Sequence, residues 1–183
     1  MLPSTSRATP DAFIKEFEKA SAAEERAVVI TLASKFSGTY QSATIAAEDF
    51  DNIYIVDSAS AAMGSGIFVE LVFRLLDEGK SAEKIAATLE EEKKKIVIVA
   101  LVDTLEYLKK GGRISKAVAF SGGVFNIKPV LSVIDGEIGI LGKSRGSKMG
   151  ANLLVQEIDK AGGIDFSKPV FCSVIVEFLM HFC

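Results

Sequence analysis

The side chains able to do chemistry gather first at Ser37-Gly38-Thr39-Tyr40-Gln41-Ser42. Two hydroxyls flank a glycine, a third follows on the next turn, and the stretch contains no thiol, imidazole or carboxylate. Such a stretch suits an anion. Glycine lets a ligand approach the backbone, and a helix start offers unpaired N–H groups and a partial positive charge. Ser37 is the expected N-cap, with Thr39 and Ser42 adding hydroxyls above it. A second concentration is basic: Lys109, Lys110, Arg113 and Lys116 around Gly111-Gly112. Basic residues at a helix end complement its dipole, which accounts for both lysines; Arg113, past the glycine break, is the one expected to point elsewhere. A third is Gly142-Lys143-Ser144-Arg145-Gly146-Ser147-Lys148. Its composition suits a phosphate-binding loop, but the G-x-x-x-x-G-K-[ST] spacing is missing.

The elements that must position these residues read as α/β. Residues 27–32 and 53–56 are short β-branched runs of buried-strand type, and residues 39–48 between them have helical spacing. This is a βαβ unit, so the Ser37 stretch is a strand-to-helix turn, the place where open α/β sheets bind ligands. Thr9-Pro10-Asp11 opens an earlier helix whose Phe13, Ile14 and Phe17 make one apolar stripe. Asp57-Ser58 ends the second strand, and Met63-Gly64-Ser65-Gly66 leads into an apolar helix to about Leu76 on the same edge. A further helix is capped at Ser81 and ends in Glu90-Glu91-Glu92-Lys93-Lys94-Lys95, a solvated charged face. Residues 96–101 read as a third buried strand, and Asp103-Thr104-Leu105-Glu106 has capping-box spacing for a short helix over 105–110. The pattern then changes. Residues 127–134 and 137–141 are strands joined by Asp135-Gly136, an antiparallel hairpin with a type I′ turn. A helix over 149–161 follows, and residues 170–182 make a very apolar ending that reads as a last strand. The expected architecture is a mainly parallel sheet with flanking helices, residues 1–112, followed by a smaller α+β domain, residues 113–183.

Composition narrows the function. The chain has 183 residues, 49% of them hydrophobic, which suits a well-packed domain. With 21 basic against 24 acidic residues, no broad basic surface advertises nucleic acid. Cys172, Cys183 and the single His181 lack metal-site spacing. No signal-peptide pattern opens the chain, and no apolar run reaches the roughly 18 residues of a membrane span. A reduced, cytoplasmic protein without metal or cofactor is expected.

Four stretches carry a resemblance. Ser37-Gly38-Thr39-Tyr40-Gln41-Ser42-Ala43, Val56-Asp57-Ser58, Thr104-Leu105-Glu106-Tyr107-Leu108-Lys109-Lys110-Gly111-Gly112-Arg113-Ile114-Ser115 and Asn126-Ile127-Lys128-Pro129-Val130-Leu131 resemble the DegV family of fatty-acid-binding proteins. The resemblance implies a carrier, not an enzyme. It would hold a long-chain fatty acid between two domains and present it to an ATP-binding fatty-acid kinase subunit for acyl-phosphate formation. Membrane contact would be at most transient, for lipid exchange. Carried over by motif, the carboxylate ligands would be Thr5 and Ser6 of the first loop, Ser37 with Gly38 and Thr39, and Arg113; Arg145 would match the surface that docks the kinase subunit. Ile67, Leu71 and Phe120 are candidates for the tail channel. The family's Gln of the Thr-Ser-Gln-Pro motif is here Arg7. Its first strand and its closing His loop have no match, so a chain truncated at both ends is expected, and His181 is assigned no role. Two alternatives remain at this point: a phosphotransferase resembling dihydroxyacetone-kinase-like proteins and using residues 143–148, or a remnant that binds nothing.

Overall fold

The structure is a computed structural model that describes residues 5–114, 127–160, 162–164 and 166. Helix α1 (Pro10–Ala22) begins where Thr9-Pro10 predicts, although Thr9 makes no side-chain cap bond. Strands β1 (Ala27–Thr31) and β2 (Ile53–Asp57) pair in parallel, in register from Ala27 opposite Ile53 to Thr31 opposite Asp57. Helix α2 (Thr39–Ala46) crosses between them. Alternation sends Val28, Ile30 and Val56 to one face, against Phe68 and Leu75 of α3 (Met63–Asp77) and Ile85 and Leu89 of α4 (Ala82–Glu92). Ala27, Val29, Ile53 and Ile55 face the other way, onto Phe13, Ile14 and Phe17 of α1 and Ala46 of α2. Both faces are therefore covered by helices, which is why the strands read as continuous apolar runs rather than alternating ones.

Ser81 caps α4 as expected, its Oγ accepting from Lys84 N at 3.4 Å. The charged run then closes into a 3-10 turn (Lys93–Lys95) held by the Glu90–Lys93 and Glu92–Lys95 pairs. That turn delays the next strand: β3 is Ile98–Leu101, and Ile96 packs into the α3–α4 core instead.

The strand β3 joins neither β1 nor β2. It pairs antiparallel with β4 (Ile127–Ile134), which pairs with β5 (Glu137–Arg145), giving the order β3–β4–β5. The Asp135-Gly136 turn has φ of 51° and 70°, the left-handed pair that a type I′ turn demands. Leu141 is extra to the register between Val130 opposite Gly142 and Leu131 opposite Ile140, a β-bulge. One face of this sheet, with Leu131, Ile138 and Ile140, covers Leu105, Leu108 and Ile114 around α5 (Glu106–Lys110). The opposite face takes α6 (Gly146–Lys160), which approaches closely at two glycines: a Cβ on Gly150 would lie 2.5 Å from Leu101 Cδ1, and one on Gly142 would lie 2.7 Å from Leu153 Cδ2.

Residues 142–148, read from composition as a loop, are the end of β5 and the start of α6. Pairing of Ser144 and Arg145 with Lys128 and Ile127 keeps them extended. Helix α6 accordingly starts at Gly146, three residues before the expected start. The apolar ending at 170–182 and the residues Phe120, Ser115, Lys116, Cys172, His181 and Cys183 lie outside the described residues. Among those described, no helix is long and apolar enough to cross a membrane.

Candidate functional site

Because β1 and β2 run in parallel, the loops that leave Thr31 and Asp57 start side by side. They are cross-linked at once. Asp57 Oδ1 accepts from Ser34 N at 3.1 Å in the first loop and from Ala59 N at 2.9 Å in its own, and Ala33 N donates to Ser60 O at 2.7 Å. The second loop is tightly wound. Ala59 and Ala62 both hold left-handed backbone, with φ of 47° and 49°, and the buried Ser58 Oγ accepts from Ser60 N and pairs with Ser65 Oγ at 3.0 Å. Ser60 Oγ is buried against Gly64 without a hydrogen-bond partner among the described residues.

The first loop carries the anion corner. Ser37 Oγ lies 2.8 Å from Thr39 Oγ1 and accepts from Thr39 N at 3.3 Å, so the two hydroxyls form a pair at the head of α2. The N-cap residue is Gly38, not Ser37 as expected; Ser37 stands one position earlier and bridges the turn from outside. The first helical bond is Ser42 N to Gly38 O at 3.0 Å, which leaves the N–H groups of Tyr40 and Gln41 ahead of the ladder. Ser42 itself turns inward, 2% exposed, and leaves the corner to Ser37 and Thr39.

Arg113 reaches this loop from beyond α5. Its Nε donates to Phe36 O at 3.2 Å, and its Nη1 donates to Gly111 O. Arg7 arrives from the chain start: a Cβ built on Gly38 would stand 2.8 Å from Arg7 Nη1 and 3.0 Å from Arg7 Cδ. The missing side chain of Gly38 thus leaves room that Arg7 occupies. The β4–β5 turn closes the corner from a third direction. Gly136 packs on Ala33 and Ala59, and Lys35 Nζ pairs with Glu137 Oε1 at 2.7 Å, holding the Glu137 carboxyl below the usual carboxylate range through that hydrogen bond and then through the lysine charge.

The expected residues fall into two groups. Ser37, Gly38, Thr39 and Arg113 share one corner. Thr5 and Ser6 lie exposed on the segment that delivers Arg7, and the structure gives them no bond to Ser37. Arg145 ends β5, eight residues from the Glu137 that touches the corner, a span of roughly 25 Å of strand. It is exposed there, opposite Ile127. The expected capping box before α5 resolves differently: Thr104 Oγ1 accepts from Glu106 N at 3.1 Å, while Asp103 pairs with Lys128 at 2.6 Å. Glu106 pairs with Lys110, whose hydrogen bond and charge lower its carboxyl's pKa.

Two participants were missed in the sequence. Asp57 brackets both loops, for which an Asp directly after a β-branched strand and before Ser-Ala-Ser was the available signal. Arg7 was visible only as a departure from the motif, since its place on Gly38 is a tertiary contact. The corner can hold an anion with hydroxyls, helix N–H groups and guanidinium. Ser37 is bonded to a hydroxyl and an amide rather than to a base, so nothing there prepares a nucleophile. Among the described residues no cluster of His, Cys, Asp or Glu is placed to hold a metal ion.

Comparison with known proteins follows the same lines. The profile described as "Uncharacterised protein, DegV family" matches residues 1–172. A DegV domain-containing protein of Caldanaerobacter subterraneus is 37% identical over 169 residues, 91% of this chain and 60% of that protein. Among solved structures, a DegV family protein of Thermus thermophilus described by its fatty acid binding superposes with a TM-score of 0.79 at 34% identity, covering 88% of this chain and 58% of its own. The Streptococcus pneumoniae fatty acid kinase (Fak) B3 protein, loaded with linoleic acid, superposes with a TM-score of 0.74 at 28% identity, covering 86% and 57%. The chain spans about three fifths of the length of these relatives. With a family profile over nearly its whole length and that share of identity, the chain belongs to the DegV family.

Proposed function

We propose that this protein binds a long-chain fatty acid and presents it to a separate ATP-binding kinase subunit, which forms the acyl phosphate. The carboxylate would sit at the Ser37–Thr39 hydroxyl pair with Gly38 and Arg113, Thr5 and Ser6 contributing from the first segment. The tail would run between residues 1–112 and 113–183, Arg145 would belong to the docking surface, and the compartment would be the cytoplasm. The observation that carries this reading is the paired Ser37 and Thr39 hydroxyls, 2.8 Å apart, at the head of α2. Fatty acids bound in similar DegV proteins support it.

Magnitudes divide the work. Burying about fifteen methylenes at about 0.8 kcal/mol each gives roughly 12 kcal/mol before the cost of association is subtracted. Affinity comes from the tail. An ionised carboxylate buried without partners costs several kcal/mol, so the corner decides which end enters and which head group is accepted. The phosphotransferase alternative is less favoured, since residues 143–148 are the end of β5 and the start of α6 rather than a glycine-rich loop.

The test is mass spectrometry of the organic extract from purified protein whose folding has been checked by circular dichroism. A stoichiometric long-chain acid, lost on Ser37→Ala in a protein that stays folded, is the expected result. A folded chain that neither carries nor takes up a fatty acid would overturn the reading and favour the remnant.

A further inference from the structure

We infer that Arg7 sets head-group selectivity, favouring a doubly charged phosphate head over a singly charged carboxylate. The inference rests on the fatty-acid reading above and deepens it: the corner is tuned to hold the acyl phosphate product more tightly than the acid from which it is made.

The argument begins with which cations are already engaged. Three reach the Ala33–Gly38 loop. Lys35 is paired with Glu137 at 2.7 Å. Arg113 spends Nε on Phe36 O and Nη1 on Gly111 O, so it braces the loop before it meets any ligand. Arg7 makes no hydrogen bond or ion pair to any described residue, and its guanidinium lies over Gly38, with Nη1 2.8 Å from where a Cβ would stand. Among the described residues, its charge is brought to the corner with nothing else to claim it.

The nearby acids do not neutralise it. Asp57 Oδ1 is occupied by the amides of Ser34 and Ala59, and Glu137 by Lys35. A carboxylate needs little beyond what the corner already has: two hydroxyls and the amides at the head of α2 satisfy one negative charge. A phosphate monoester brings close to two charges and three terminal oxygens. The planar guanidinium fork suits two of those oxygens at once and brings a full charge, which a neutral side chain cannot match. Arg7 therefore adds the increment by which the two head groups differ.

The experiment compares palmitate with hexadecyl phosphate, whose tail is the same and whose head cannot hydrolyse at an acyl bond, by calorimetry at about pH 7.5, where the phosphate is close to doubly charged. Wild type, Arg7→Gln and Arg7→Lys are measured in full-length form after a folding check; Arg7 is exposed, so the fold should tolerate both changes. The expected outcome is an Arg7→Gln loss of about tenfold on hexadecyl phosphate and no more than about twofold on palmitate, the size of one charge-assisted hydrogen bond. Arg7→Lys should restore part of the difference, since it keeps the charge and loses the fork. Equal losses on both ligands, or none, would overturn the role of Arg7 while leaving the carrier reading intact. A folded wild type that binds neither ligand would overturn the carrier reading, and this inference with it.

Discussion

The parallel pair β1–β2 and the antiparallel hairpin β4–β5 bear polar residues at their ends in comparable numbers, yet they use them differently. In the parallel pair both strands finish at one edge, so the Ser34 amide, Asp57 and the loop beyond it meet. In the hairpin the strands run in opposite senses. Its turn lies against the corner through Gly136 and Glu137, while Lys143 and Arg145 are carried to the far end. Strand direction, rather than the local density of charge or glycine, decides which residues can cooperate.

The contrast can be broken most severely at a glycine under the second loop. Gly64→Ala would place its Cβ 2.0 Å from Ser60 Oγ and 2.8 Å from Ile98 Cδ1. It should cost about 2 kcal/mol in urea unfolding, because the buried Ser60 side chain and the end of Ile98 must both shift. Ligand binding sharpens the contrast next. Ser37→Ala should weaken fatty-acid binding about tenfold, near 1.4 kcal/mol, with unfolding unchanged, whereas Arg145→Ala should leave affinity for the acid unaltered. If Arg145→Ala weakened acid binding as much as Ser37→Ala, the two ends of the hairpin would not be functionally separate.

A smaller effect runs in the opposite direction. Ala59→Gly relieves a left-handed alanine at φ 47° and should stabilise the protein by up to about 1 kcal/mol, measured as a raised urea midpoint. The smallest concerns the Lys35–Glu137 link between the two regions. Glu137 is exposed and its folded pKa is depressed, so whatever stability the pair supplies is present above the ordinary value near 4.5 and is lost as pH falls through the depressed one. Lys35→Ala should move the Glu137 carboxyl titration, followed by carbon-detected NMR, back up toward that ordinary value. A titration that did not move would assign the depression to another group.

Much of this was legible in the sequence where local pattern and tertiary outcome agree. The hairpin followed from Asp135-Gly136 between apolar runs, and the corner followed from Ser37-Gly38-Thr39 after a β-branched strand, with an error of one residue in the cap. Where tertiary contact overrides local preference, the pattern misled. Gly142-Lys143-Ser144-Arg145 has loop composition, but the ladder to 127–130 and the close approach of α6 hold it extended. The strand β3 was recognisable and its partner was not, because a short apolar strand carries no record of what it pairs with. Arg7 was visible as a departure from a motif; its position over Gly38 depends on the path of residues 5–9.

The contacts that complete the corner are also the most distant in sequence. Lys35 and Glu137 are 102 residues apart and Phe36 and Arg113 are 77 apart, whereas β1 pairs with β2 across 26 residues and the hairpin closes over two. Contacts of such separation come late in folding, after the local units have formed. Each half holds its own helices and core before they meet. The seam between them is therefore expected to open ahead of either core, which hydrogen exchange of the amides on its two sides would read. Under the proposed carrier reading, parting that seam would give a long hydrocarbon chain its way in and out.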